Sequence, residues 1–202
     1  LHTLENLIAT GKEANVFRGK TRDGRNRAVK IYRLNTATFR KLAPYLEGDP
    51  RFPHGGKSHR DRIFTWAQKE FKNLHLMHAA GASVPRPFHV HRNLLVMQYR
   101  GWRYRPYPTL RELPPEEPRE FLRQLMDSVK AYHGAGLAHG DLSEYNVLNV
   151  REQPCIIDVG QAVPRQHPRF AELHERDLGN IHRWFRKRLP GLTREEVEQW
   201  ST

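Results

Sequence analysis

The stretch that decides the reading of this chain is His139-Gly140-Asp141-Leu142-Ser143-Glu144-Tyr145-Asn146, with Cys155-Ile156-Ile157-Asp158-Val159-Gly160 a few residues later. An Asp followed by an Asn at plus five, then an apolar strand ending in a second Asp, is the pattern that kinase-type phosphoryl transfer requires. The transition state of that reaction is metaphosphate-like and needs little covalent help. A protein must therefore orient the attacking group and hold metal ions on the phosphate oxygens. Asp141 suits the first task, while Asn146 and Asp158 carry hard oxygen atoms of the kind Mg²⁺ accepts beside phosphates and waters. The plainer alternative is a loop Asp and a helix-capping Asn. The two motifs in this order, set among hydrophobic strands, speak against it.

Working outward, the first third of the sequence reads as strands: Leu7 to Phe17, a turn at Arg22-Asp23-Gly24, then Arg27 to Tyr32 with alternating faces. Lys30 shares a face with Ala28 and Tyr32. A strand lysine is ordinarily an exposed charge, but upstream of Asp141, Asn146 and Asp158 it is expected to pair the phosphates from the third strand. Residues 41–58 hold Pro44, Gly48-Asp49-Pro50, Pro53 and Gly55-Gly56, which predict a long flexible loop. A helix then starts near Ser58, whose hydroxyl can cap the first turn with Asp61, and runs to Gly81. Ser58, beside Lys57, His59 and Arg60, is also a candidate phosphorylation site. The helix buries Ile63, Ala67, Phe71, Leu74 and Met77, with Trp66 alongside. Glu70 falls in that stripe, and because an unpaired buried charge is costly, Lys30 is its natural partner. The alternative is a Glu at the margin that reaches water.

Leu94 to Tyr99 reads as a buried strand closing a first lobe. Pro114 to Pro118 leads into a helix with Phe121, Leu122, Leu125, Val129 and Tyr132 apolar, stopped by Gly134 and Gly136. A last long helix, about 168–189, places Asp177 on its apolar face, as an acceptor for the catalytic-loop backbone or as half of a salt bridge. Thr193 and Glu196 spell a capping box for a short terminal helix.

Composition bounds the rest. The 202 residues contain no apolar run long enough for a membrane span and open on no signal-peptide pattern, so a cytoplasmic protein without a membrane partner is expected. Cys155 stands alone, which excludes an intrachain disulfide. A net charge of +12 is a footprint compatible with RNA or other polyanions. The sharpest local candidate is Arg100-Gly101-Trp102-Arg103-Tyr104-Arg105-Pro106-Tyr107, where cations alternate with rings able to stack on bases; its place between lobes suits a linker equally.

Five segments now stand together: Ala9-Thr10-Gly11-Lys12-Glu13-Ala14-Asn15-Val16-Phe17, Ala28-Val29-Lys30-Ile31-Tyr32-Arg33, Glu47-Gly48-Asp49-Pro50-Arg51-Phe52, Trp66-Ala67-Gln68-Lys69-Glu70-Phe71 and the His139-to-Asn146 stretch. In this order they closely resemble the RIO family of atypical protein kinases, type-1 branch, over nearly the whole chain. The resemblance implies an α+β, bilobal protein-kinase-like fold with an abbreviated C-lobe lacking an activation loop. It divides the chain into an N-terminal lobe, 1–98, with strands, phosphate loop, flexible loop 41–58 and a helix about 59–80, and a C-terminal lobe, 99–202. It further implies ATP with Mg²⁺, or Mn²⁺ in its place, autophosphorylation on serine, ATPase behaviour and a role in ribosome maturation. ATP, the chain itself and a ribosomal particle or RNA are the partners this implies.

By position, Lys30 resembles the lysine on the ATP phosphates and Glu70 its helix partner. Asp141 resembles the catalytic aspartate, and Asn146 and Asp158 the metal ligands. The counterpart of Asp158 in this family can also accept phosphate as an aspartyl-phosphate. Met97 resembles the gatekeeper, and Gln98, Tyr99 and Arg100 the hinge that pairs the adenine. Thr10, Gly11 and Lys12 resemble a phosphate loop with one glycine, in which hydroxyl and ammonium supplement the backbone. Relatives often have an acidic residue where Gln98 stands, Ser at Thr10 and Ser at Gly160. Because the 44 residues after Asp158 hold no Ala-Pro-Glu stretch, ATP chemistry is better supported than phosphorylation of a protein in trans. Two other classes remain open at this point: a small-molecule phosphotransferase of the aminoglycoside-kinase type, and a nucleotide-gated RNA- or ribosome-binding module.

Overall fold

The computed structural model describes residues 1–34, 39–53 and 58–201, with residues 39–42 as helical backbone. The chain opens with strands β1 (Thr3–Thr10), β2 (Ala14–Lys20) and β3 (Asn26–Tyr32), followed by helices α1 (Phe39–Leu46) and α2 (His59–Ala79) and strands β4 (Pro87–His91) and β5 (Leu94–Gln98). These strands form one five-stranded sheet in the order β1-β2-β3-β5-β4, every neighbouring pair antiparallel. The Leu7-to-Phe17 stretch, expected as one extended run, is split by a turn over Gly11–Glu13 into β1 and β2, closed by Gly11 N–H donating to Ala14 O at 2.9 Å. In β3, Ala28, Lys30 and Tyr32 share a face, and the register sets Lys30 opposite Leu95. The edge strand β4 was not foreseen, because Pro87-Phe88-His89-Val90-His91 is mostly exposed and carries little alternation.

Ser58 caps α2 reciprocally: Asp61 N–H donates to Ser58 Oγ at 3.1 Å and Ser58 N–H to Asp61 Oδ2 at 3.1 Å. Ile63, Trp66, Ala67, Leu74 and Met77 are buried as the 3.6-residue period predicts, while Phe71 is only half-buried at the margin. The same face also buries Lys69, Glu70 and Asn73.

The expectation of a flexible loop over 41–58 needs correcting where the chain is described. Residues 41–46 belong to α1, which contains Pro44. A proline inside a helix removes a hydrogen bond, and packing offsets the loss. Leu46 is buried in the main core, and Tyr45 packs edge-on against Trp66, centroids 6.4 Å apart. Gly48, at φ +85°, ends the helix in a left-handed turn against Pro168, where a Cβ would come within 2.9 Å of the ring. Residues 54–57 of the expected loop lie outside the described residues.

Beyond β5 the chain forms a small hairpin, β6 (Gly101–Trp102) with β7 (Arg105–Pro106), then α3 (Pro118–Gly134), β8 (Leu137–Ala138), β9 (Val147–Asn149), β10 (Pro154–Ile156), a 3₁₀ turn (Val159–Gln161), β11 (Val163–Pro164), α4 (Phe170–Phe185) and α5 (Arg194–Ser201). Leu122, Leu125, Val129 and Tyr132 of α3 share a core with Ile181 and Phe185 of α4 and Val197 of α5. Thr193 Oγ1 accepts from Glu196 N–H at 3.1 Å, half of the box read in the sequence. Two short antiparallel ladders, β8 with β11 and β9 with β10, bracket residues 139–146 and 157–162 and hold those two segments face to face. Only residues 165–169 separate β11 from α4. Among the described residues no helix is long and apolar enough to cross a membrane.

Candidate active site

A cleft of about 560 Å³ opens between the sheet and the helical lobe, within the range of small-molecule sites. Thr10, Gly11, Lys12, Lys30, Glu70, Met97, Gln98, Tyr99, Asn146 and Asp158 all line it. At its inner end Lys30 Nζ donates to Glu70 Oε1 and Oε2 at 2.9 and 2.8 Å and to Asp158 Oδ1 at 2.8 Å. The inward reading of Glu70 thus holds, and its second partner is Tyr32, whose hydroxyl donates to Oε2. Burial works against the Lys30 charge, but Asp158 and Glu70 overcome it and hold its pKa up. Burial pushes Glu70 up to about 7 against the pull of Lys30. The Asp158 side chain is half exposed to the cleft, and Lys30 holds its pKa down. Its backbone sits at φ 58°, ψ 55°, the left-handed region, a conformation that costs of order 1 kcal/mol for a residue with a Cβ.

The 139–146 segment is fixed mostly through its backbone. Asp177, fully buried on α4, accepts from Gly140 N–H at 2.7 Å and Leu142 N–H at 2.9 Å, so of the two roles open to it the backbone acceptor is the one seen. Gly140 is at φ +78°, where a Cβ would stand 3.0 Å from Gln161 O. The buried ring of His139 accepts from Asp141 N–H at Nδ1 (3.2 Å) and faces Ile157 O through Nε2 (3.2 Å), which assigns the proton to Nε2. Asn146 Nδ2 donates to Asp141 O at 2.8 Å, leaving the amide oxygen as its ligand-type atom. Gln161 Nε2 donates to Asp141 Oδ2 at 3.0 Å. Burial, then the charge of Asp158, raises the Asp141 pKa. Asn146 and Asp158 thus offer hard oxygens beside the cleft, a donor set that suits Mg²⁺ and not a thiophilic metal.

Across the cleft, Thr10 Oγ1 donates to Asn15 Oδ1 at 2.7 Å, and Arg33 Nη2 donates to both, at 3.1 and 2.9 Å. Lys12 is exposed. Glu13 also lines the cleft, and burial, then Asp158, pushes it up to about 7. Sequence reasoning missed Glu13, Tyr32, Gln161 and Arg33. Only Tyr32 left a signal, through its shared face with Lys30. Gly160 lies under Trp66, where a Cβ would be 2.9 Å from the indole nitrogen.

The Arg100-to-Tyr107 strip divides. Arg100 turns inward to the Cys155 thiol. Trp102, Arg103, Tyr104 and Arg105 are exposed on the β6–β7 hairpin, with Arg18 over the Tyr104 ring at 4.5 Å and Arg151 over Trp102 at 5.4 Å.

A two-lobed α+β architecture with a lysine reaching across the cleft, and only residues 165–169 between β11 and α4, defines the kinase-like class. Solved structures agree: the Rio2 kinase of Chaetomium thermophilum, in an ADP/Mg²⁺-phosphoaspartate complex, superposes with TM-score 0.69 at 22% identity, covering 98% of this chain and 61% of that one. The chain belongs to the RIO domain family, whose model matches residues 15–198. It is 42% identical over 180 residues to the RIO-type serine/threonine-protein kinase Rio1 of Haloferax volcanii, covering 89% of this chain and 62% of that protein. The Methanocaldococcus jannaschii Rio1 is 38% identical over 202 residues, covering 97% of this chain and 67% of that protein. The human RIO1 kinase is 35% identical over 205 residues, with 98% of this chain and 36% of that protein covered. The chain therefore spans under two thirds of the Haloferax protein and about a third of the human one.

Proposed function

We propose that this chain is the catalytic part of a RIO-type atypical serine kinase and ATPase that binds Mg-ATP in the cleft between its lobes. The observation that carries this reading is Lys30 joined at once to Glu70 and Asp158, with Asn146 lining the same cleft and hydrogen-bonded to Asp141, which lies within the field of Asp158. Thr10, Gly11 and Lys12 cover the phosphates, and Met97 to Arg100 bound the adenine end. A metal held by Asn146 and Asp158 would neutralise charge on the phosphate oxygens. Lys30, kept charged by its two carboxylates, pairs the phosphates and orients them in line. Asp141, steadied by Gln161, orients a serine hydroxyl or water for attack. Alternatively an Asp158 oxygen forms the new bond to the γ-phosphorus while the bond to the ADP oxygen breaks, and water later cleaves the acyl phosphate. The bond between Lys30 and Asp158 would have to loosen first. Incubation with labelled ATP and Mg²⁺ or Mn²⁺, with acyl phosphate and serine phosphate separated by acid and base lability, tests this. Neither label nor released phosphate would sink it.

A second role as an RNA or ribosomal-particle binder is favoured by the exposed rings and arginines of the β6–β7 hairpin and the net charge of +12. Binding to rRNA fragments should weaken steeply with salt. Arg103→Ser with Arg105→Ser should lower both affinity and salt slope while sparing ATP turnover, and unchanged RNA binding would assign the hairpin a purely structural role.

A further inference from the structure

The buried face of α2 carries two polar side chains that the chemistry above leaves unused. Lys69 and Asn73, four residues apart on that helix, are both 0% exposed. Lys69 Nζ pairs with Asp49 Oδ2 at 3.2 Å, and the enclosed Asp49 carboxylate also takes Arg51 Nε and Nη2 at 2.9 and 2.7 Å. The ammonium donates in addition to the main-chain oxygen of Ala162. Asn73 Nδ2 donates to Val159 O at 2.8 Å and Ala162 O at 3.0 Å. The Lys69 and Asn73 donors converge on the turn immediately after Asp158.

Burying an ion pair is a poor route to stability, since apolar side chains of the same volume usually do as well or better. What the pair touches is therefore informative. The 158–162 turn carries Asp158 to Lys30 at its start and Gln161 to Asp141 near its end. The helix on the other side of the network carries Glu70, next in sequence to Lys69. The segment leading into Asp49 is itself anchored to the second lobe, because His167 Nε2 lies 3.2 Å from Pro44 O and 2.9 Å from Glu47 O. Conventional kinases hold the corresponding turn and helix in register through the activation segment, whereas here only residues 165–169 link β11 to α4. The hold comes from the α2 side instead.

We infer that Lys69, Asn73 and Asp49 are positioning residues: they clamp the 158–162 turn against α2, so that Asp158 and Gln161 meet Lys30 and Asp141 in one fixed geometry. Lys69 and Asn73 grip the carbonyls, and Asp49 aims the ammonium. None of the three touches the cleft. The inference rests on the phosphoryl-transfer reading, and its test separates the two. In the full chain, Asp49→Asn with Lys69→Met removes the ion pair yet leaves Arg51 an acceptor, and Asn73→Leu removes the amide donors while keeping the pair. Each should lower kcat for ATP turnover by about tenfold to a hundredfold, as a misplacement near 1 Å does, with KM for ATP within about threefold. Amide hydrogen exchange at 159–162 should rise while exchange in α3 stays at the wild-type rate. A kcat within about twofold of wild type, or exchange raised equally in α3, would overturn the inference and leave a structural pair only. A double variant that does not fold leaves Asn73→Leu to decide by the same criteria. If the wild-type chain turns over no ATP, the functional reading fails, and exchange at 159–162 alone decides the clamp: a rise confined to the turn supports it and no rise refutes it.

Discussion

The two loops that face each other across the cleft are built on opposite principles. The 10–15 loop is exposed over Thr10 to Lys12, and besides the backbone bonds Gly11 N–H to Ala14 O and Arg33 N–H to Glu13 O its fixed points are side chains: the Thr10 hydroxyl, the Asn15 amide and the Arg33 guanidinium. The 139–146 loop is enclosed at His139, Gly140 and Leu142, with the N–H groups of Gly140 and Leu142 bonded to Asp177 and its ends locked in β8 and β9. A loop held by exposed side chains can yield to an arriving ligand at small cost, whereas one held by buried backbone bonds cannot. The first suits adjustment around phosphates. The second suits a group whose position must not vary.

The sharpest way to break this comparison is Asp141→Ala. If Asp141 orients the attacking oxygen as proposed, its removal should cut turnover by about 10²–10⁴-fold while ATP affinity stays within a few-fold, as titration and steady-state kinetics would show. Unchanged turnover would take Asp141 out of its role. Next in size is acid lability of the enclosed loop. Burial holds the His139 ring down to about 4, against about 6.5 in an unfolded chain. Between those values the unfolded chain binds more protons, so stability is complete above about 6.5 and falls by up to about 3 kcal/mol as pH drops toward 4. Protonation at Nδ1 would also break the bond from Asp141 N–H. Denaturant titrations across that window should show the slope, and His139→Gln should reduce it.

Lys30 ties the two sides together, so Lys30→Ala and Glu70→Ala should be non-additive by about 0.5–3 kcal/mol, because each breaks the same pair. A double-mutant cycle on ATP turnover that closes additively would mean the two residues act separately. The smallest effect belongs to the exposed loop: Thr10→Ala should raise KM for ATP by only a few-fold, of order 1 kcal/mol, with kcat near wild type. A larger fall in kcat than in ATP affinity would show that the 10–15 loop is as position-critical as its counterpart.

What the sequence discloses follows the range of the interactions involved. That Glu70 faces Lys30 is legible from two periodicities, period two in β3 and 3.6 in α2, and the α2 cap is legible from Ser58 and Asp61 alone. Asp141, Asn146 and Asp158 stand out because their spacing is local. Helix α1 was hidden because Pro44, Gly48 and Pro50 signal a breaker, and only Trp66 and the core, distant in sequence, supply what offsets it. Lys69 and Asn73 were hidden for a similar reason. Polar residues on a helix read as a solvated face until the carbonyls of residues 159 and 162, some 90 positions away, are seen to meet them. Glu13 and Gln161 gave no pattern at all.

Cys155 has a practical consequence. It is the chain's one thiol, 1% exposed, and burial pushes its pKa up to about 11, so at neutral pH it presents almost no thiolate to an alkylating probe. A cysteine introduced at an exposed position, on the β6–β7 hairpin or at Arg22 in the β2–β3 turn, would react against a silent background in the otherwise unaltered protein. Pairs of such labels would make the separation of the two lobes a directly measurable distance, and its change with nucleotide could be followed without first removing a native residue from the core.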